Sequence, residues 1–325
     1  MINFSKKNIK LWSNIGMRST FGIVINSLAE SHKNFLVVTG DVSTSAGLDK
    51  FKNNYKNRYL DVGIAEQNMI GVAAGLTASG KKVFTTTFSP FQTLRCCEQI
   101  KVNLSYMKFD VCMVGLASGI SLGSLGYTHC SIEDVGVLRS MPNLTIIAPC
   151  DTTELAKSVK EILTYNKPVY LRLTGNNKVS LINNKNYNFK IGKANKIING
   201  KNIAILSTGT IISECVDAIK FLNLRNLKPS LYNFHTIKPI DKRLINKISE
   251  KYKFIFTVEE HNTIGGLGSA VSEILSNKKR NCIHIKIGID DEFTKCGDYN
   301  FMKKENNLDY FSIAKKIKKY VSKFR

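Results

Sequence analysis

In the stretch DVGIAEQNMIGVAAGL, residues 61–76, Glu66 is the one carboxylate between Asp61 and Leu76, set among small and mostly apolar residues. A carboxyl in an apolar setting can hold or share a proton, which is the currency of general acid–base chemistry. It can equally be a helix N-terminal anion that stabilises the dipole by about 0.3–1 kcal/mol. Its neighbours in sequence add further chemistry. Phe88 and Phe91 flank Ser89-Pro90, and two rings three residues apart at a turn either close a core or clamp a flat heterocycle. Further on, SGISLGSLGYTH carries Gly119, Gly123 and Gly126 ahead of His129. Glycines at that density let a backbone approach a ligand closely. Asp41, in VVTGDVSTS, is an acid at a strand end that reads equally well as a turn residue.

These residues need a scaffold that brings them to one place. Apolar runs rich in β-branched residues predict strands at Phe35–Val38, Val83–Phe88, Val111–Leu116, Thr145–Ala148 and Val169–Leu173. Between them the spacing predicts helices, including AEQNMIGVAAGLTASG with Met69, Ile70, Ala73 and Leu76 inward, a helix through Leu94, Cys97, Ile100 and Leu104, and one starting near Ser131. Strands alternating with helices imply an α/β fold with a mainly parallel sheet covered on both faces. Glu66, Phe88, Phe91 and the glycine loop then all emerge at the carboxyl edge, where such sheets bind ligands. After Thr174 the chain turns polar and asparagine-rich, and a second alternating series begins at Ile203. The expected organisation is a first domain over 1–185, a linker over 186–200 and a second α/β domain over 201–325.

Composition narrows the class. With 325 residues and 43% hydrophobic content, the chain is long enough for two cores. No run approaches a membrane span, and the basic start MINFSKKNIKLW lacks a signal peptide's apolar core, so a cytoplasmic location and no membrane association are expected. The formal charge of +22 is spread along the chain without an arginine-rich or aromatic-interleaved cluster, which argues against nucleic acid as the partner. Eight cysteines without a C-x-x-C pair fit a reducing compartment and no structural zinc.

The segments GIAEQNMIGVAAGLTASGKKVFTTTFSPFQT, GLGYTHCSIEDVGVLRSMPNLTIIAPCD, HTIKPID and EEHNTIGGLGSAVSEIL together resemble the pyrimidine-binding and C-terminal domains of transketolases, from about Met17 to Val321. The resemblance implies a thiamine-diphosphate enzyme that moves a two-carbon ketol unit between sugars. In that family a glutamate at the place of Glu66 hydrogen-bonds the aminopyrimidine of the cofactor and activates it, so Glu66 is implied to be both catalytic and cofactor-binding. Phe88 and Phe91 match aromatics that pack on the pyrimidine, Asp41 an acid near the cofactor, and His129 a histidine that hydrogen-bonds substrate. His235, His261 and Gly265-Gly266 match the C-terminal domain, where a supporting rather than catalytic role is implied. A β subunit of another thiamine enzyme, such as a 2-oxo acid dehydrogenase component, and a non-catalytic paralogue are the alternative readings.

Departures from the family pattern are as informative. Members bind the diphosphate and Mg²⁺ through Gly-Asp-Gly and a later Asn, whereas this chain has only Gly40-Asp41-Val42 and Gly297-Asp298-Tyr299. No metal ligand is therefore expected here. The resemblance implies a separate N-terminal, diphosphate-binding subunit that supplies the Mg²⁺ ligands, in an α2β2 heterotetramer. Sugar-phosphate transketolases carry a histidine and an acid in the glycine loop where this chain has Ala117 and Leu125. With His129, these positions define the expected substrate pocket, and they point away from the usual pentose phosphates.

Overall fold

A computed structural model of the chain describes residues 2–175, 177–183, 186–224, 226–277 and 282–324. The strands are β1 (Phe35–Thr39), β2 (Tyr59–Asp61), β3 (Lys82–Phe88), β4 (Val111–Leu116), β5 (Thr145–Ile147), β6 (Val169–Arg172), β7 (Asn195–Ile198), β8 (Ile203–Ser207), β9 (Ser230–Asn233), β10 (Thr236–Lys238), β11 (Phe254–Asn262) and β12 (Ile283–Ile289). The helices are α1 (Lys6–Ser31), α2 (Asp49–Asn54), α3 (Glu66–Ala78), α4 (Ser89–Gln92), α5 (Cys97–Gln99), α6 (Asp134–Arg139), α7 (Thr152–Ile162), α8 (Ile212–Asn223), α9 (Lys242–Lys251), α10 (Leu267–Ser276), α11 (Tyr299–Glu305) and α12 (Tyr310–Lys323).

Two sheets result. The first has the order β10-β5-β6-β4-β3-β1-β2 and the second β12-β11-β8-β9-β7. All pairings are parallel except β10 on β5 and β7 on β9. The residue types explain the order. β4 reads VCMVGL, is buried at every position and lies in the middle of its sheet, while β2 at the edge leaves Leu60 exposed. Side chains of α1 and α7, including Phe21, Ile25, Leu155 and Val159, cover one face of the first sheet. Met69, Ile70 and Ala73 of α3, with Leu138 of α6, fill the other. In the second sheet, α8 and α12 pack on one face and α9 and α10 on the other. This is the expected two-domain α/β architecture.

Four details depart from the sequence reading. The amphipathic start forms the long helix α1, bent where Gly16 takes φ +77°. The 186–200 segment supplies β7, whose Ile197 and Ile198 pack partly buried against the second core; a four-residue strand, NKII, carries too short a pattern to read. The region through Leu94 and Leu104 is a short α-turn at Cys97–Gln99 followed by a wider π-type helix over Ile100–Tyr106, which leaves Leu94 outside it and exposed. Finally, α6 starts at Asp134, because Ser131 is held in an antiparallel bridge with Gly119.

Candidate active site

Glu66 is the first residue of α3, with its side chain only 4% exposed. The preceding Ala65 offers no side-chain cap, so the carboxylate is the anion at this helix N-terminus. Gly40, at the exit of β1, backs it: a Cβ there would lie 3.5 Å from Glu66 Cγ. The surround is not purely apolar, as the sequence suggested. Arg95 Nη1 donates to Glu66 Oε2 at 2.8 Å, and the same guanidinium lies 4.1 Å from the centre of the Phe91 ring. Sequence reasoning missed Arg95, which carries no periodic or motif signal. Nearby Cys96 is inert as a nucleophile, since burial, assisted by the Glu66 charge, pushes its thiol up to about 12.

Phe88 ends β3 and Phe91 sits in α4, their ring centroids 6.4 Å apart and nearly perpendicular. His129 joins them, 6.2 Å from Phe88 and 5.2 Å from Phe91, with Nδ1 3.0 Å from Thr128 Oγ1. The three rings, each partly exposed, form one cluster contributed by two strand exits. Glu66 connects to that cluster through Arg95.

The other expected site residues are placed less uniformly. Asp41 is exposed on the same rim, next to Gly40, in a left-handed conformation (φ +58°), and its N–H donates to Asp61 Oδ1 at 3.0 Å. Leu125 is 55% exposed on the glycine loop, whereas Ala117 is 3% exposed and lines the loop's base with φ +51°.

The loop from Ala117 to Ser131 owes its shape to the second domain. Glu260 of β11 accepts from Ile120 N–H at 2.9 Å and from Tyr299 O–H at 2.7 Å. Gly119 (φ +70°) passes so close that a Cβ would lie 2.3 Å from Glu260 Oε1. A Cβ at Gly123 would meet Met302 Cγ at 2.2 Å. Further along, Tyr127 OH contacts Thr294 Oγ1 at 2.8 Å, and its ring packs tilted against Phe293 with centroids 4.8 Å apart. The second domain thus holds the loop that carries Leu125 and His129.

Beneath the rings runs a buried polar chain. Ser89 Oγ contacts both Ser118 Oγ and, at 2.6 Å, Tyr170 OH. Tyr170 O–H donates to Asp134 Oδ2 at 2.6 Å, and Arg172 Nε donates to the same oxygen at 2.8 Å. Arg172 Nη2 also donates to the carbonyls of Ser131 (3.1 Å) and Glu260 (3.0 Å). Burial raises the Asp134 pKa, but the Arg172 charge, with the hydrogen bonds from Arg172 and Tyr170, outweighs it and holds the carboxyl below its ordinary range. His261 accepts the Gly136 N–H at 3.2 Å, and burial holds it neutral, down to about 4. Glu259 accepts the N–H groups of Leu267 and Gly268 at the start of α10, yet burial pushes it up to about 7. His235 packs 4.4 Å from Phe189, away from the ring cluster. A separate cleft of about 390 Å³ between the domains, lined by Thr210, Glu214, Tyr299 and Lys303 among others, includes none of the ring-cluster residues.

Residues 13–178 match the pyrimidine-binding domain of transketolase and residues 192–289 the transketolase C-terminal domain. The chain belongs to the transketolase family, whose members use thiamine diphosphate. It is 35% identical over 309 residues to a putative transketolase C-terminal section from Methanocaldococcus jannaschii, covering 95% of this chain and 97% of that one. It is 34% identical over 310 residues to an apulose-4-phosphate transketolase subunit of Phocaeicola vulgatus, covering 95% and 98%. Among solved structures, a split gene transketolase described as an inactive β4 tetramer superposes with a TM-score of 0.84 at 28% identity, covering 94% of this chain and 98% of that one. No helix among the described residues is long and apolar enough to cross a membrane.

Proposed function

We propose that this chain is the pyrimidine-binding, C-terminal-type subunit of a two-chain transketolase, active only with a diphosphate-binding partner in an α2β2 assembly. The observation that carries the reading is the placement of Glu66, buried at the N-terminus of α3 and joined through Arg95 to Phe91 and its neighbouring rings. A flat aminopyrimidine fits such a setting: a carboxylate to meet a ring nitrogen, glycine backing at Gly40, and aromatic faces at Phe88 and Phe91. When bound, thiamine diphosphate supplies the carbanion equivalent that carries the two-carbon unit. Glu66 holds the proton shared with the pyrimidine, Phe88 and Phe91 exclude water from its faces, and His129 orients a substrate hydroxyl or carbonyl.

The Mg²⁺ and diphosphate belong to the partner in this reading. Of the two Gly-Asp pairs, Asp298 is occupied as the cap of α11, its Oδ1 accepting from Asn300 and Phe301 N–H at 2.9 and 3.0 Å. Asp41, exposed on the rim, contributes across the assembled site. By the family resemblance, Ala117 and Leu125 stand in place of polar side chains that would meet a sugar phosphate and a hydroxyl, respectively. An unpaired hydroxyl against leucine costs about 1–3 kcal/mol, which favours a sugar deoxygenated near the reacting end, or one whose phosphate is absent or placed elsewhere. A relative that carries apulose-4-phosphate in its name supports a branch of unusual sugars.

Reconstitution tests the proposal. The chain is combined with the diphosphate-binding polypeptide that co-purifies with it, and ketol transfer is assayed with thiamine diphosphate and Mg²⁺. Transfer is expected only with both chains. Transfer by this chain alone, or release of CO₂ from 2-oxo acids in place of ketol transfer, overturns it. Specificity constants for xylulose 5-phosphate with ribose 5-phosphate, against deoxy and non-phosphorylated sugars, decide the substrate class.

A further inference from the structure

Arg95 stands where a ligand is expected. Its guanidinium takes Glu66 Oε2 at 2.8 Å and lies over the face of Phe91 at 4.1 Å. Those are the two surfaces that a flat heterocycle with a hydrogen-bonding ring nitrogen would use. A protonated guanidinium and such a ring compete for the same oxygen and the same π-face, because both are planar, both stack on aromatics and both hydrogen-bond in their plane. Resting on the reading of Glu66 as the pyrimidine-binding carboxylate, we propose that Arg95 is a displaceable occupant of the cofactor site, holding it closed until the cofactor and partner arrive.

The local construction suits a side chain that swings on a fixed backbone. Gln67 Nε2 donates to the Arg95 carbonyl at 3.0 Å, and Arg95 N–H donates to the Pro90 carbonyl at 3.3 Å. Next in the chain, Cys96 Sγ lies 3.2 Å from the Phe91 carbonyl and its side chain is buried. The backbone on both sides is therefore tied down. The Arg95 side chain, in contrast, is 42% exposed, and Glu66 is its one ion-pair partner among the described residues. With its side chain open to solvent on one side, rotation about its own bonds carries the guanidinium outward and uncovers Glu66 and Phe91. An exposed arginine paired to a carboxylate that is itself 4% exposed is an asymmetric arrangement. A purely structural pair in a core would bury both partners, as Asp134 and Arg172 do here.

The measurement is calorimetric binding of thiamine diphosphate with Mg²⁺ to the reconstituted two-chain complex, repeated at low and at high salt. If the arginine competes, Arg95→Met tightens binding by about tenfold, the combined scale of one exposed ion pair and one cation–π contact. High salt, which screens a half-exposed pair, then tightens binding to the wild-type complex relative to Arg95→Met, so that the gap between them narrows. A role confined to stability moves the melting temperature and leaves this difference unchanged. Arg95→Lys, which keeps the charge without the planar fork, falls between the two. Equal or weaker binding by Arg95→Met, with wild-type binding intact, overturns the gate and leaves the reading of Glu66 standing. Undiminished binding by Glu66→Ala overturns the reading of Glu66 and the gate with it.

Discussion

Two clusters of charged residues lie at the carboxyl edge of the same sheet and are built on opposite plans. At the rim, Glu66 has a single ion-pair partner among the described residues, Arg95, and that partner is half-exposed. Deeper in, Asp134 is fully buried and takes hydrogen bonds from Tyr170 and Arg172, while Arg172 is shared with the carbonyls of Ser131 and Glu260. The deep cluster joins the two domains and positions the glycine loop. The rim cluster leaves hydrogen-bonding capacity for something that is not the protein. The contrast is one of partners: Glu66 is held by one half-exposed side chain, whereas Asp134 is held through Oδ2 by two buried ones, Tyr170 and Arg172, which is the mark of architecture.

Substitution at Glu66 is the sharpest way to test that contrast, because its effect should fall almost entirely on turnover. Glu66→Ala is expected to lower the activity of the reconstituted enzyme by several orders of magnitude while costing at most about 1 kcal/mol of stability. Activity above a tenth of wild type, measured beside a denaturant titration, would remove Glu66 from the site. Asp134→Ala should do the reverse. It strands Arg172 without its charge partner and is expected to cost about 3–5 kcal/mol in urea unfolding, with activity lost only as far as the fold is lost. A stable Asp134→Ala protein would mean that the deep cluster does not bind the domains together.

Gly119→Ala probes the hand-over between the clusters. Its positive φ and the contact with Glu260 predict a loss of about 1–3 kcal/mol, together with a raised KM for the sugar as the loop that carries His129 shifts. A change in stability with KM untouched would separate the loop from the substrate. The smallest effect concerns acid sensitivity. His261 is held neutral at about 4 when folded, against an ordinary 6.5 in the unfolded chain. Above pH 6.5 both states carry the neutral ring. As pH falls toward 4 the unfolded state gains a proton that the folded state does not, so stability declines across that window. His261→Gln should flatten this part of the pH–stability curve, and an unchanged curve would assign the acid sensitivity to other groups.

Most of the first domain was legible because its strands are buried on both faces. Val111–Leu116 and Val83–Phe88 read as continuous apolar runs, and the structure places them at the sheet's centre. The shorter strands were not legible. β7 and β10, of four and three residues, are edge pairs whose sequences NKII and TIK carry no usable period. The grouping of Glu66, Phe88, Phe91 and His129 at one edge was legible because residue type and strand-end position coincide. Arg95 was invisible, since a single arginine in FQTLRCCEQ carries no pattern of its own and only its orientation toward Glu66 and Phe91 distinguishes it. Tyr170 and Arg172 lie in an apolar strand, where their polar ends have meaning only beside Asp134.

β10 has a further consequence for how the molecule can be divided. This strand, more than 50 residues beyond the end of the pyrimidine-binding match, returns to lie antiparallel on β5 and closes the first sheet at that side. Lys238 Nζ then reaches the carbonyls of Arg139 and Met141 behind it. A recombinant fragment ending near residue 185 would lack this border and would present the open hydrogen-bonding groups of β5 to any neighbour, the geometry that promotes edge-to-edge aggregation. Domain-swapping or truncation experiments on this chain should therefore carry residues 236–238 along with the first sheet, because a boundary that is clean in the sequence runs through the middle of a folding unit.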